Sequence, residues 1–268
     1  MKNQTTLRTS FKVSLVTPTF KRTKFLEKNY EILKEIKSKK FEWVIVTEDD
    51  DHETNKLVEK FDKSFVKQIS GKFGDNDLAF NHGVNEADGS LICIYGDDDF
   101  LNKDTIDLLE KNFEDKVDWY IGHANYIDQQ NRQIRKITSL IKNILLNHFS
   151  KNILFLVNFI MTPSVFFSKK KFLELNKLNH EMRHATDYVL WLQFSQISKP
   201  KIIRKTLSLV TFTNKTKTGS FDYKRYFEIY KNINKFSNNP LLRTLQFSII
   251  LLIIVYNFFT KKIFKLYN

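Results

Sequence analysis

Apolar positions in the first hundred residues fall into short runs separated by stretches of helical period. Val13 to Thr17 is an apolar, β-branched run stopped by Pro18, which predicts a buried strand entering a loop. Phe25, Leu26, Tyr30, Leu33 and Ile36 keep helical spacing. Trp43 to Val46 predicts a second buried strand, ending in the acidic run Glu48-Asp49-Asp50-Asp51. A helix over 55–61, a short strand over 65–69 and a helix over 79–87 follow, the last stopped by Gly89. Leu91 to Tyr95 returns as a strand and ends at Asp97-Asp98-Asp99.

Strands and helices in alternation predict a parallel sheet covered on both faces. Such sheets bind ligands beyond the carboxyl ends of their strands. Three predicted strands end in Thr17-Pro18, in Glu48-Asp49 and in the triple aspartate, so polar groups collect where a ligand belongs. Beyond position 100 a helix is predicted over 105–113, strands over 119–124 and 163–167, and helices from Lys170 and over 187–197. Residues 128–160 mix basic and apolar character without a clear period, and no internal repeat is present.

Composition narrows this picture. The chain has 268 residues, 42% hydrophobic and 27% charged, with only 7 Gly and 4 Pro. That suits one sizeable folded domain, with or without an appendage, rather than a disordered chain. The single cysteine, Cys93, lies in an apolar run and forms no internal disulfide, which fits a reducing compartment. Met1 to Lys12 lacks the apolar stretch of a secretory signal, and the cytoplasm is the expected location. The formal charge of +13 suits a polyanionic partner: nucleic acid, a phosphorylated lipid carrier or an anionic membrane face. No zinc-ligand spacing, helix-turn-helix pattern or RNP-like strand accompanies it, so nucleic acid is not the expected partner.

Three constellations carry candidate chemistry. Asp97, Asp98 and Asp99 after a buried strand repel one another, and a divalent cation, Mg²⁺ or Mn²⁺, relieves that repulsion. A solvated acidic turn capping the helix near Thr105 explains the same residues. The acidic run from Glu48 to Asp51 has carboxylates able to accept from a base N–H or ribose hydroxyls, or forms a plain acidic loop. Asp187, within His184-Ala185-Thr186-Asp187-Tyr188, is a helix N-cap or a general base that takes an acceptor proton. His82, His180 and His184 make no convincing metal set. A GxSxG elbow, a P-loop and a GxGxxG fingerprint are all missing.

With these residues in place the chain resembles the family 2 glycosyltransferases of GT-A fold. Val13 to Arg22 looks like that family's first strand and nucleotide loop, and Phe41 to Thr54 like its second strand and acidic loop. Leu78 to Asp99, with Asn81, Gly83, Ala87 and Gly89 in step, is similar to the approach to its metal motif. Thr162 to Phe167 resembles the strand lining the acceptor side, and Asp187 with Trp191 the segment of the catalytic base.

The resemblance implies an α/β fold with a Rossmann-like, mostly parallel nucleotide-binding sheet, helices on both faces and a C-terminal helical tail. It implies inverting transfer from a nucleotide-sugar donor to a glycan or lipid-linked acceptor, with Asp187 as base. Asp97, Asp98 and Asp99 would hold Mn²⁺ or Mg²⁺, and Pro18, Phe20, Arg22, Glu48 and Asp97 would contact the donor. The chain departs from the family pattern in three places: Thr47 and Glu48 stand for two aspartates, Gly96 for an Asp, and Phe80 for a common Arg. Lys72, or Lys215 and Lys217, are candidates for the missing positive charge.

The expected division is a transferase domain over 1–220 and a basic, apolar tail over 221–268. Within the tail, Phe247 to Phe259 is almost wholly apolar but shorter than the roughly 20 residues of a spanning helix. It predicts either an interfacial helix on an anionic membrane or a helix completing the core or a dimer. A peripheral position at the inner membrane face and a role in surface-polysaccharide synthesis fit that picture. The rival readings are a nucleotidyltransferase, which would release pyrophosphate, and a non-catalytic binding protein that keeps the fold.

Overall fold

The computed structural model describes residues 10–175, 177–182, 184–212 and 223–266. Its first half follows the predicted alternation: β1 (Val13–Thr19), α1 (Thr23–Leu33), β2 (Phe41–Glu48), α2 (His52–Val58), β3 (Val66–Gly71), α3 (Asn76–Glu86) and β4 (Leu91–Ile94). Then come β5 (Phe100–Leu101), α4 (Thr105–Asn112), β6 (Trp119–Ile127), α5 (Lys136–Asn147), α6 (Lys151–Leu156) and β7 (Val165–Ser168). The chain continues through α7 (Lys169–Glu174), α8 (Thr186–Ile197), β8 (Lys201–Thr211), α9 (Tyr223–Ile233) and α10 (Pro240–Leu266).

The strands form one eight-stranded sheet in the order β3-β2-β1-β4-β7-β6-β8-β5. β1 pairs in parallel with β2 and β4, β2 with β3, and β6 with β8, while β7 runs antiparallel to both its neighbours. The sheet is mostly parallel, with helices on both faces, as expected.

Alternate side chains of each strand feed two separate cores. Val16, Val44, Val46, Ile92, Ile121 and Phe167 face α3 and α8, joined by Ile233 of α9. Leu15, Trp43, Ile45, Cys93, Tyr120 and Phe166 face the other way, onto Leu26 of α1, Val58 of α2 and Ile106 of α4. Gly83 lets α3 lie close on the sheet, since a Cβ there would stand 2.7 Å from both Val16 Cγ1 and Val46 Cγ2. Cys93 is fully buried, and burial pushes its thiol well above the ordinary range, so it is inert.

Pro18 does not end the first strand, contrary to the sequence expectation. Val16 accepts the Tyr95 N–H, so its backbone groups point toward β4, and those of Pro18, two residues on, point the same way. β4 has ended at Ile94, so the missing proline N–H has no partner to lose.

The region 128–160, for which no element was expected, contains two helices, and Ile137, Leu140, Ile141 and Ile144 of the first do keep helical spacing. α5 is held to β6 by a polar stripe spaced four residues apart. Ser139 Oγ accepts the Tyr126 N–H at 3.1 Å, and Asn143 exchanges two bonds with the Ala124 backbone. Asn147 meets His123 at 2.8 Å. These polar bonds reach the part of β6 that runs past its pairing with β7, so an apolar periodicity scan does not see them.

Candidate active site at the carboxyl edge of the sheet

A cleft of about 900 Å³ opens beyond the carboxyl ends of β1 and β4. Pro18, Thr19, Phe20 and Arg22 line it from the end of β1, and Asp97, Asp98 and Asp99 from the end of β4. Lys21 between them adopts a left-handed backbone, φ 54°, steadied by its N–H donating to Asp51 at 2.5 Å. Burial alone would raise the Asp51 carboxyl, but the N–H groups of Lys21 and Thr54 outweigh it and hold the group below its usual value.

The acidic motif is organised by Arg22. Its Nη2 donates to Asp98 Oδ2 at 2.6 Å, and its Nε lies 2.9 Å from Asp97 Oδ1 as an ion pair, without hydrogen-bond alignment. The guanidinium also sits 4.3 Å from the Phe25 ring centroid. Asp97 is only 7% exposed and takes a 2.9 Å bond from Thr19 Oγ1. Burial pushes its carboxyl up to about 6; Arg22 pulls it down, and repulsion from Asp98 raises it again.

Asp99 turns the other way. Its Oδ1 accepts the Thr211 N–H at 3.1 Å, while Thr211 Oγ1 donates to the Asp98 carbonyl. Burial, then repulsion from Asp98, drives the Asp99 carboxyl well above the usual range. A Cβ on Gly96 would lie 2.6 Å from Asp99 Oδ2, so the Asp99 carboxylate occupies the space a side chain at 96 would need.

Asp187 lines the same cleft from the first turn of α8. It is not the N-cap, which is Ala185 in a left-handed conformation, φ 58°. Its Oδ2 accepts from Thr162 Oγ1 at 2.5 Å, and its Oδ1 from the Tyr188 N–H at 2.7 Å. Thr162 opens the 3₁₀ turn ahead of β7. Trp191, four residues on, is a fully buried core residue stacked on Trp119.

Other predicted residues fall elsewhere. Glu48 does not line the cleft; its carboxylate accepts the Phe73 and Gly74 N–H groups at 2.9 and 2.8 Å. The loop it holds leads to Asp75, Asn76 and Asp77, which do reach the cleft. Phe80 is a buried wall residue packed edge-on against Phe172. Lys72 is exposed and away from the cleft, and Lys215 and Lys217 lie outside the described residues.

Three lining residues carry no signal in the sequence. Lys142 of α5 donates to the Asn158 carbonyl at 3.1 Å. Desolvation lowers its ammonium to about 8, against the attraction of Asp187, and Arg135 adds to the lowering. Gln246 of α10 is 1% exposed, and its Oε1 meets no donor among the described residues. Thr211 is the third, brought in at the end of β8.

Residues 14–175 match the model of the family described as glycosyl transferase family 2. The chain belongs to that family. The match spans both strand ends that build the acidic half of this glycosyltransferase's cleft and stops short of Asp187. Among solved structures, residues 1–349 of TarS from S. aureus in complex with UDP-GlcNAc superpose with a TM-score of 0.64. At 15% identity, that alignment covers 90% of this chain and 70% of that one. The mannosyltransferase PcManGT from Pyrobaculum calidifontis, in complex with GDP-Man and Mn2+, superposes with a TM-score of 0.61. It is 11% identical, over 89% of this chain and 70% of that one. At such identities these likenesses establish the GT-A fold. No curated protein sequence matches the chain.

Proposed function

We propose that this glycosyltransferase moves a sugar from a nucleotide-diphosphate donor to a hydroxyl of a glycan or lipid-linked acceptor, with inversion, in surface-polysaccharide synthesis. One arrangement carries this reading: a single cleft receives the paired carboxylates Asp97 and Asp98 from β4 and the separate carboxylate Asp187 from α8. That is the division of labour direct displacement needs, with charge control at the leaving group and a base at the nucleophile.

On the donor side, the exposed ring of Phe20 offers a stacking face for the base, and Pro18 walls the same pocket. Arg22 moves from its two carboxylates toward the donor diphosphate, where a planar guanidinium pairs well with phosphate oxygens. Asp98, with Asp97 beside it, suits Mn²⁺ or Mg²⁺. Among the described residues no set of three potential ligands converges, so donor oxygens and water would complete the shell, as is usual for such cations. A bound cation would neutralise charge on the diphosphate as it leaves. Asp99 supports the motif from behind through Thr211, and Glu48 contributes to donor binding by holding the 71–75 loop.

On the acceptor side, Asp187 takes the hydroxyl proton while the acceptor oxygen bonds to the anomeric carbon and the bond to the diphosphate breaks. Thr162 and the Tyr188 N–H fix the carboxylate's direction. The proposed division is a transferase body over 1–220 and a helical tail over 221–268. Gln246, Ile249, Ile250 and Ile253 of that tail line the cleft. A cytoplasmic enzyme, peripheral at the inner membrane face, fits the +13 charge.

Thermal shift against nucleoside diphosphates and nucleotide sugars, with and without Mn²⁺, tests the donor assignment. A metal-dependent shift with one nucleotide, and release of its diphosphate on turnover, is the expected result. Release of pyrophosphate would make the chain a nucleotidyltransferase. A folded protein that shifts with no nucleotide would be a binding module.

A further inference from the structure

α5 presents three faces, and only two are engaged. Ser139, Asn143 and Asn147 bond to β6, and Lys142 reaches into the cleft. The remaining face is Ile137, Leu140, Ile141 and Ile144, exposed by 75%, 58%, 52% and 48%. Their spacing of i, i+3, i+4 and i+7 makes one continuous stripe of branched aliphatic side chains in water. Contiguous exposed apolar surface of this kind marks a contact site on a soluble domain.

The surrounding charge says what covers it. Between Asp128 and Glu174 the chain has no acidic residue, while Arg132, Arg135, Lys136, Lys142, Lys151 and Lys169 to Lys171 all fall there. Arg132 is paired with Asp128 at 2.7 Å. Arg135 lies over the Phe212 and Tyr126 rings of the cleft, whereas Lys136 at the start of α5 and Lys151 just past its end are exposed and have no carboxylate within ion-pair distance among the described residues. An apolar stripe with cationic ends fits an anionic lipid surface. A second copy fits badly, because a symmetric contact through α5 would set these cations against their own images with no acid to pair them.

We propose that α5 docks on an anionic phospholipid bilayer, inserting Ile137, Leu140, Ile141 and Ile144 and pairing Lys136 and Lys151 with headgroups. Among the described residues no helix is long and apolar enough to cross a membrane, so the contact is interfacial. α5 docking does not depend on the transfer chemistry. If that chemistry holds, Lys142 on the same helix places the acceptor side of the cleft beside the lipid surface, where a membrane-borne acceptor arrives. The exposed Leu241, Leu245, Leu252 and Val255 of α10 form a separate apolar stripe, which the test must distinguish.

Sedimentation of the full chain with vesicles of phosphatidylglycerol and phosphatidylethanolamine, against phosphatidylcholine alone, tests the proposal. Binding to the anionic vesicles only, weakening with salt, is expected. Ile137→Ser with Ile141→Ser should lower the partition constant about tenfold, from lost apolar burial. Lys136→Glu with Lys151→Glu should lower it by at least about tenfold at low salt. Both variants should keep the wild-type melting temperature and nucleotide binding, because these side chains are exposed and outside the cleft. The proposal is overturned if the wild type ignores anionic vesicles. It is equally overturned if folded α5 variants bind them like wild type, which would hand the contact to α10. A wild-type dimer that Ile137→Ser with Ile141→Ser splits into monomers would also refute it.

Discussion

The acidic end of the cleft and the Asp187 end are built on opposite principles. At the acidic end, three consecutive carboxylates just past one strand are held by the Arg22 guanidinium, the Thr19 hydroxyl and the Thr211 N–H, so each carboxylate has a partner in the resting protein. At the other end, single polar groups arrive from separate elements: Asp187 from α8, Lys142 from α5, Gln246 from α10. Lys142 sits in a poorly solvated place, and the Gln246 oxygen has no donor among the described residues. An end whose carboxylates already have partners suits a ligand that every reaction shares, since Arg22 would exchange one anion for another. An under-satisfied end suits an acceptor whose own groups must complete the hydrogen bonds.

The largest effect should come from breaking the Asp187 end. Asp187→Asn keeps the shape and the Thr162 contact but removes the proton acceptor. Turnover should fall by about 10² to 10⁴, with donor affinity unchanged by calorimetry. Loss of donor binding in this variant would mean that the two ends are not separable. Asp98→Asn attacks the acidic end instead. It should abolish the metal-dependent part of donor binding and lower kcat by about 10² to 10³.

Arg22→Gln is milder and sharper. It leaves Asp97 without its nearest cation and removes a diphosphate contact, so donor affinity should fall about tenfold while acceptor KM stays put. A change in acceptor KM alone would move Arg22 to the wrong end of the cleft. Lys142→Met separates stability from function. A lysine lowered from 10.5 to about 8 in the folded protein holds fewer protons there than in the unfolded chain between those two values. Stability contributed by this site therefore rises with pH from about 8 to 10.5, and the variant should flatten that rise in urea titrations.

The smallest effect is expected at Gln246. Gln246→Leu removes a buried oxygen that has no donor among the described residues, and should stabilise the protein by about 1 kcal/mol while raising acceptor KM. An unchanged or lower acceptor KM would exclude the carboxamide from acceptor binding.

Residues 13–99 carried their organisation openly. Each strand there is a short apolar run, each helix a 3.6-residue period, and each acidic cluster sits just past a strand. In a parallel sheet those positions converge on one edge whatever the loops do, so the acidic half of the cleft could be anticipated from local order alone. Family resemblance extended that to Asp187, which local sequence left divided between cap and base. Contacts between distant positions were not written locally. Thr211 reaches Asp98 and Asp99 across more than a hundred residues, Thr162 aims Asp187, and Arg22 chooses two of three aspartates. Pro18 reads as a stop, yet the strand continues, because only the end of β4 shows that its missing N–H costs nothing. α5 kept helical spacing at Ile137, Leu140, Ile141 and Ile144, but that face stays in water, a polar face bonds β6, and only Leu145 and Leu146 reach the core, so its place in the fold was not legible. Periodicity reports which side of an element is buried. Which partner buries it, and which face is left for a ligand or a membrane, is settled only when elements far apart in the chain pack together.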